Sequence, residues 1–181
     1  MWTWWASRPR PTRHDAALPA TDRAYLEDIA RDTWRFFERC VGPDDHHLPP
    51  DNLHVIPHDM VAHRTSPTNI GLALLSTLAA HDLGYIDLLE LRLRLENTFE
   101  GMARLETYNG HLMNWYDTHS LKSLPPRYVS TVDSGNLAAC LLTVRQGIGE
   151  LRHAPVLSLD LWKGLHDTLV VHGYLTQPEV E

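Results

Sequence analysis

Two stretches of the chain concentrate side chains that could bind a sugar. The first, NWYDT, is residues 114–118, and the second, PPRYVSTVDSGN, is residues 125–136. An aromatic ring can pack on the apolar C–H face of a pyranose, while a neighbouring carboxylate accepts hydrogen bonds from its hydroxyls. The alternative is structural: Trp115 and Tyr116 would anchor the loop on the core, and Asp117 would cap a turn.

Two carboxylates in these stretches, Asp117 and Asp133, could form the acid and base pair that glycoside hydrolysis requires. Their separation in space does not follow from their separation in the sequence. Asp133 also precedes Ser-Gly-Asn, where it could be the N-cap of a helix. The catalytic residues therefore stay unassigned, with Asp117 and Asp133 as candidates.

Two loop-to-helix junctions, RTSPTN (residues 64–69) and VDSGN (residues 132–136), have similar chemistry. Both offer hydroxyls and an asparagine at a helix N-terminus, where backbone N–H groups are free. Arg64 and Arg127 lie at or just upstream of them, where a guanidinium could bind a carboxylate, a phosphate or a sugar hydroxyl. A structural ion pair is the alternative for both arginines.

Metal and nucleotide chemistry lack supporting motifs. The chain has 12 histidines, but no H-E-x-x-H motif and no paired cysteines, and Pro57 interrupts any helix that would align His54 with His58. No G-x-S-x-G, G-x-G-x-x-G or P-loop motif is present. The sequence therefore predicts no metal site and no cofactor.

Composition excludes several classes of protein. The chain has 181 residues, 43% apolar and 22% charged, which is typical of a globular domain rather than a disordered one. A net charge of −7 argues against a nucleic-acid partner. The two cysteines, Cys40 and Cys140, are predicted to be reduced core thiols, and no apolar run is long enough to cross a membrane.

Hydrophobic periodicity predicts an all-α fold with two long loops, Val41–Asp59 and His111–Asp133. Residues 21–181 are expected to form a single helical domain. Residues 1–20, which begin MWTWWASRPRP, are expected to be a membrane-exit segment or a disordered tail. The five predicted helices cover Asp22–Cys40, Pro67 to Gly84 after a Ser66 N-cap, Asp87–Tyr108, Asp133 or Ser134 through Val144, and Ser158–His172.

Two of these helices carry more detailed predictions. The second is apolar nearly all round, which predicts burial inside the fold. The third is predicted to begin with a capping pair, Asp87 and Glu90, and to end at Asn109-Gly110. Its predicted buried stripe is Leu89, Leu93, Phe99, Met102 and Leu105, and its predicted water-facing residues are Arg92, Arg94 and Glu96.

Two long stretches of the sequence resemble a known protein family. VAHRTSPTNIGLALLSTLAAHDLG (residues 61–84) and GHLMNWYDTHSLKSLPPRYVSTVDSGNLA (residues 110–138) resemble a segment of bacterial cyclic β-1,2-glucan synthases. These inner-membrane proteins join a membrane-embedded glucosyltransferase, a glycoamylase-like helical part and a phosphorylase-like part. The chain resembles the stretch that enters the helical part, which cyclises the glucan by transglycosylation.

The resemblance implies helix pairs that form part of an (α/α)6 toroid with long substrate-type loops. Five helices are fewer than half of the twelve in such a toroid, so the chain is expected to be a fragment, with the catalytic carboxylates beyond Glu181. The implied partners are β-1,2-glucan and the rest of the synthase or another copy of the chain. The expected sugar-facing residues are Arg64, Thr65, Asn69, Trp115, Tyr116, Asp117, Arg127, Asp133 and Asn136.

The resemblance also implies a location and leaves other functions open. The parent protein would lie in the bacterial inner membrane, with this segment soluble at the cytoplasmic face and joined to the membrane only through its N-terminal end. One alternative is a non-catalytic helical module that has lost the family activity and exposes an apolar face for a partner. Another is a stand-alone glycosidase, which requires Asp117 and Asp133 to face each other across a cleft.

Overall fold

The structure is a computed structural model that describes residues 18–153, 155 and 159–174. The predicted membrane-exit or disordered tail therefore lies almost entirely outside the described residues. Within them the fold is all-α, as predicted, with very short strands in the loops. No helix in this part of the chain is both long and apolar enough to span a bilayer. The five helices are α1 (Ala20–Cys40), α2 (Pro67–Asp82), α3 (Leu88–Ala103), α4 (Thr131–Leu151) and α5 (Leu159–Val171).

The long loops contain a 3-10 turn at Pro43–Asp45 and three antiparallel strand pairs. The strands are β1 (Leu53–His54), β2 (Met60–Val61), β3 (Arg64–Thr65), β4 (Thr107–Tyr108), β5 (His111–Leu112) and β6 (Tyr116–Asp117), and β1 pairs with β2. The pair β4–β5 is a hairpin around Asn109 and Gly110, whose φ angles of 50° and 80° suit a tight turn between strands. The pair β3–β6 joins the RTSPTN junction to NWYDT, with Arg64 opposite Asp117.

Helix α2 forms the centre of the fold. Its predicted start is confirmed, since the Ser66 side chain accepts a hydrogen bond from the Asn69 N–H and Pro67 follows at the first helical position. Helix α4 packs closely against it: a Cβ on Gly71 would lie 3.0 Å from the Cys140 side chain, so a larger residue there would require Cys140 to shift. Burial is not complete all round, because Leu72 is 50% exposed.

Helix α3 differs from its prediction in extent and in face. Asp87 caps the helix by accepting from the Glu90 N–H at 2.8 Å. The helix ends at Ala103 rather than Tyr108, because Thr107–Tyr108 forms strand β4. The buried face carries Leu91 and Leu95, whereas the predicted stripe residues Leu89 and Leu93 are 61% and 42% exposed. Arg94, predicted to face water, lies over the Trp34 ring, 5.3 Å from its centre.

Helix α4 begins earlier than predicted. Its N-cap is Ser130, whose side chain accepts from the Asp133 N–H at 3.1 Å. The predicted capping role of Asp133 is therefore wrong, and the Asp133 carboxylate is free for other contacts. The predicted thiols are free, with Cys140 buried in α4 and Cys40 half-buried at the end of α1; burial raises the pKa of both.

Helix α5 packs against α1 and against the turn after α2. Arg31, only 1% exposed, donates two hydrogen bonds to the Glu38 carboxylate at 2.9 and 3.2 Å and one to Thr168 of α5 at 3.2 Å. Gly164 lies so close to the turn that a Cβ there would be 2.0 Å from the Gly84 carbonyl oxygen. These contacts hold α5 against α1 and against the turn after α2.

Candidate functional site

The pairing of β3 with β6 determines which side chains of RTSPTN and NWYDT reach the surface. Side chains alternate between the two faces along a strand. Thr65 and Tyr116 form one register pair and are 0% exposed, whereas Arg64 and Asp117 form the next pair and reach solvent. One face of this small sheet therefore joins the core, and the other reaches solvent.

The first group of polar contacts surrounds Arg64. Its Nε and Nη2 both donate to Asp51 Oδ2, at 3.0 and 2.7 Å, and the guanidinium carbon lies 4.9 Å from the centre of the Trp115 ring. Asn69 reaches the other oxygen of Asp51 at 3.5 Å. The Asp51 side chain is 18% exposed and that of Arg64 53%, so the acid fixes the arginine while the guanidinium stays accessible.

The second group surrounds Asp133 in the first turn of α4. Thr68 of α2 donates to Asp133 Oδ1 at 2.5 Å and accepts from the Asn136 amide at 3.1 Å. This short chain of side chains joins the N-termini of α2 and α4. Asp133 is therefore positioned by a neighbouring helix rather than by its own.

Asn114 connects the two groups. With its amide oriented to satisfy its neighbours, its nitrogen donates to Asp133 Oδ2 at 3.2 Å. Its oxygen accepts from Trp115 Nε1 at 2.8 Å and from the Tyr128 hydroxyl at 2.9 Å. The contacts from Asp51 to Asn136 thus form one continuous polar surface, which we call the helix-end site: Asp51, Arg64, Thr68, Asn69, Asn114, Trp115, Tyr128, Asp133 and Asn136.

Two of the predicted sugar-facing residues, Tyr116 and Thr65, are buried and do not reach this surface. Tyr116 is fully buried, and its hydroxyl accepts from the Met113 N–H and donates to the Glu106 carbonyl. Burial raises the pKa of the Tyr116 hydroxyl, which keeps it a neutral donor. Thr65 is also fully buried, so neither side chain is accessible to a glucan. The alternative interpretation of Tyr116 as an anchor of the loop is the one that the geometry favours.

Asp117 lies at the start of a tight turn. Its carboxylate accepts from the side chain and the backbone N–H of Ser120, both at 2.7 Å. These hydrogen bonds, that of the hydroxyl first, lower the pKa of Asp117 below its ordinary 3.8. Because a general acid needs a raised pKa, Asp117 is suited to capping the turn rather than to donating a proton.

Arg127 lies in a different part of the surface. It forms an ion pair with Glu106 at the edge of an open depression of about 590 Å³, which also contains Arg104 and Lys122. Hydrogen bonds connect Glu106 to Ser123 as well, at 2.9 Å. The structural ion pair considered for Arg127 from the sequence is thus present, and within the described residues its side chain forms no hydrogen bond or ion pair with the helix-end site.

Four members of the helix-end site were missed by the sequence analysis: Asp51, Thr68, Asn114 and Tyr128. Asp51 lies in the predicted long loop Val41–Asp59, and Asn114 opens NWYDT, so both had a usable signal. Thr68 stands inside the RTSPTN junction. Nothing in the sequence distinguishes Tyr128, because its role depends on the fold of the loop before α4.

An apolar groove lies away from the polar surface, between α3 and α4. It has a volume of about 400 Å³. Leu88 and Ile148 on its walls are 39% and 41% exposed. The groove is lined mainly by Leu88, Leu91, Leu95, Phe99, Ile148 and Leu151.

Comparison with known proteins confirms the resemblance inferred from the motifs. The chain is 43% identical over 152 residues to the cyclic beta-(1,2)-glucan synthase NdvB of Rhizobium meliloti (strain 1021). The match covers 84% of this chain and 5% of the synthase, so the chain is similar to one small segment of it. No protein-family model matches the chain.

The fold is also that of part of a solved protein. The crystal structure of a glucoamylase-like protein from Bacteroides fragilis NCTC 9343 superposes with a TM-score of 0.63 at 18% identity. The superposition covers 87% of this chain and 36% of that protein. The helices described above thus have the arrangement of about a third of a glucoamylase-like fold.

Proposed function

We propose that this chain is a segment of a cyclic β-1,2-glucan synthase that contributes glucan-contacting loops to its transglycosylation (cyclisation) part. The observation that carries the proposal is the helix-end site, in which two loops and two helix N-termini present one connected set of hydrogen-bonding groups. The similarity to a cyclic beta-(1,2)-glucan synthase supports a β-1,2-glucan as the ligand. In the parent protein we expect this segment at the cytoplasmic face of the inner membrane.

The chemistry of the helix-end site suits an uncharged, hydroxyl-rich ligand. Arg64 and the amides of Asn69 and Asn136 are donors, while Asp51 and Asp133 are acceptors. The guanidinium charge is balanced by Asp51, so no strong field favours an anionic ligand. Arg64 covers one face of the Trp115 ring. We therefore expect a glucosyl unit to contact the guanidinium and the part of the indole that Arg64 leaves uncovered.

We place no complete catalytic pair in this chain. Asp117 is held by Ser120 with a lowered pKa, and Asp133 is held by Thr68 and Asn114. The glucan subsites of this segment would therefore serve carboxylates supplied by the rest of the synthase.

The test is calorimetric titration of linear β-1,2-glucan oligosaccharides into the purified chain and three variants. We expect Trp115→Ala and Arg64→Ala each to weaken binding about tenfold, which corresponds to about 1.4 kcal/mol. Trp162→Ala is the matched control, because Trp162 is 72% exposed on α5, away from the site. Far-UV circular dichroism should show unchanged helix content in all three.

Two outcomes would contradict the proposal. One is the absence of any glucan binding by a folded monomer. The other is a lowered melting temperature of Trp115→Ala with unchanged glucan affinity, since Trp115 would then serve packing alone. Equal losses in Trp115→Ala and Trp162→Ala would point to non-specific stacking on exposed indoles.

The apolar groove between α3 and α4 favours a second candidate function. A non-catalytic helical module would use such a surface to bind the rest of the synthase or another copy of the chain. Light scattering on the same sample distinguishes the two candidates. Self-association that is removed by Ile148→Lys, with no glucan binding, would support the module, whereas a glucan-binding monomer would exclude it.

A further inference from the structure

Three side chains from separate loops meet beside the helix-end site. His63 Nδ1 lies 2.8 Å and His119 Nε2 lies 3.5 Å from the same oxygen, Asp45 Oδ1. The two imidazole rings are 4.2 Å apart between centres. Asp45 is buried, with 8% of its side chain exposed, while the side chains of His63 and His119 are 40% and 51% exposed. One carboxylate thus faces two imidazoles at the edge of solvent.

This cluster is held in place by contacts outside it. Thr118 is fully buried and its hydroxyl donates to Asp45 Oδ1. The Thr118 backbone N–H donates to the His63 carbonyl at 3.0 Å, and the His46 ring lies 3.0 Å from the His119 carbonyl oxygen. The loops that carry all three groups are therefore fixed by hydrogen bonds that do not use the two facing ring nitrogens.

We propose that Asp45, His63 and His119 bind a divalent transition-metal ion of the Zn²⁺ class. Two imidazole nitrogens and one carboxylate oxygen are ligands that zinc accepts, with water in a fourth position on the exposed side. The three ligand atoms all lie within 4.8 Å of one another. Tetrahedral zinc with bonds of about 2.0–2.2 Å separates its ligand atoms by about 3.4 Å. The distance from Asp45 Oδ1 to His119 Nε2, 3.5 Å, is close to this value, whereas the distance to His63 Nδ1, 2.8 Å, is shorter. The His63 ring therefore has to move by about half an ångström to accommodate the ion.

The sequence did not predict this site because its ligands have no regular spacing. Asp45 lies in the 3-10 turn, His63 directly before β3 and His119 two residues after β6. Only the pairing of β3 with β6 brings the two histidines together. The Thr118 hydroxyl acts as the outer-shell partner that orients the carboxylate.

The proposed ion would stabilise the loops rather than catalyse a reaction. It would connect the 3-10 turn to the β3–β6 pair, whose strands carry Arg64 and lie next to Trp115. Anything that binds the folded chain but not the unfolded one raises the melting temperature. The proposal does not depend on glucan binding and would hold if the proposed function failed.

The experiment is titration of ZnCl₂ into the tag-free chain after treatment with EDTA, followed by calorimetry. We expect one ion per chain, and a loss of affinity of about 100-fold or more in His63→Ala and in His119→Ala. His54→Ala is the control, because His54 is an exposed histidine of β1 outside the cluster. Co²⁺ should give the visible absorption of a tetrahedral site in the wild type and in His54→Ala alone.

Thermal unfolding supplies the second readout. Zinc should raise the melting temperature of the wild type and leave that of His119→Ala unchanged; the mostly exposed His119 is expected to tolerate the substitution. Thr118→Val should weaken zinc binding by about 10- to 100-fold, since it removes the outer-shell contact. The proposal is overturned if no 1:1 complex forms, if His54→Ala loses as much affinity as His119→Ala, or if zinc does not alter the melting temperature of the wild type.

Discussion

Tyr116→Phe separates an anchoring role of Tyr116 from a sugar-binding one. The substitution removes one oxygen from a side chain that is 0% exposed. The phenol bridges the Met113 N–H and the Glu106 carbonyl, so both lose their partner. Since Met113 is itself buried, its N–H cannot turn to water.

The size of the effect follows from these contacts. A typical hydrogen bond contributes about 0.5–1.5 kcal/mol net, and a buried donor left without a partner costs about 1–3 kcal/mol. We therefore expect Tyr116→Phe to lower the free energy of unfolding by about 2 kcal/mol. For a chain of this length that corresponds to a fall in melting temperature of about 4–8 °C.

The assay combines urea unfolding, followed by far-UV circular dichroism, with glucan titration below the unfolding transition. Tyr108→Phe is the matched control, because Tyr108 is 64% exposed and its loss should change stability by less than about 0.5 kcal/mol. Both variants should bind glucan as the wild type does. Unchanged stability of Tyr116→Phe together with a tenfold loss of glucan affinity would refute the burial argument and return Tyr116 to the sugar-binding set.

Two further predictions concern the packing of α5 and the turn at Asp117. Gly164→Ala should destabilise the fold by about 1–3 kcal/mol, since its Cβ would meet the Gly84 carbonyl. Gly149→Ala, whose Cβ would have nothing within 4 Å, should stabilise α4 by about 0.5–1 kcal/mol. Melting-temperature shifts of the same sign in the two variants would contradict this packing. Hydrogen bonds from Ser120 lower the pKa of Asp117, so its ionised carboxylate stabilises the fold at pH values above the ordinary pKa of 3.8. This contribution is lost as the pH falls through the lower pKa of the folded state. Asp117→Asn should therefore be less stable than the wild type near pH 7 and equal to it at about pH 2, as measured by urea unfolding; a difference that does not change with pH would exclude a role of the charge.

Helix positions were predictable from the sequence where local chemistry determines them. Ser66 and Pro67 specify the start of α2, and the cap and the first helical position are where the sequence places them. Asp87 likewise caps α3. Such signals act over a few residues, so they do not depend on the rest of the fold.

The buried face of α3 was not predictable in the same way. Leucines occupy both sides of this helix, so its periodicity fits more than one apolar stripe. The face that carries Leu91 and Leu95 became the buried one, and Leu89 and Leu93 were left on the surface. Which stripe is buried depends on where α1 and α2 lie, and that is information from long-range packing.

The composition of the helix-end site was predictable only in part, for a similar reason. Arg64, Asn69, Asp133 and Asn136 were identified from the two helix junctions, and they do lie in one polar surface. Their actual partners, such as Thr68 for Asp133, depend on the approach of α2 to α4. Local sequence therefore indicated which ends of the helices are polar, but not which groups pair there.

The motif NWYDT shows why a dense run of polar and aromatic residues is a poor guide to ligand contact. Burial alternates along it: Asn114, Tyr116 and Thr118 point inward, and Trp115 and Asp117 reach the surface. This is the period of an extended strand, and strand β6 imposes it. The inward residues orient what lies around them, since Asn114 connects Trp115 to Asp133 and Thr118 holds Asp45. Substitution of Asn114 or Thr118 should therefore displace Trp115, Asp133 or Asp45 without removing any of these three side chains.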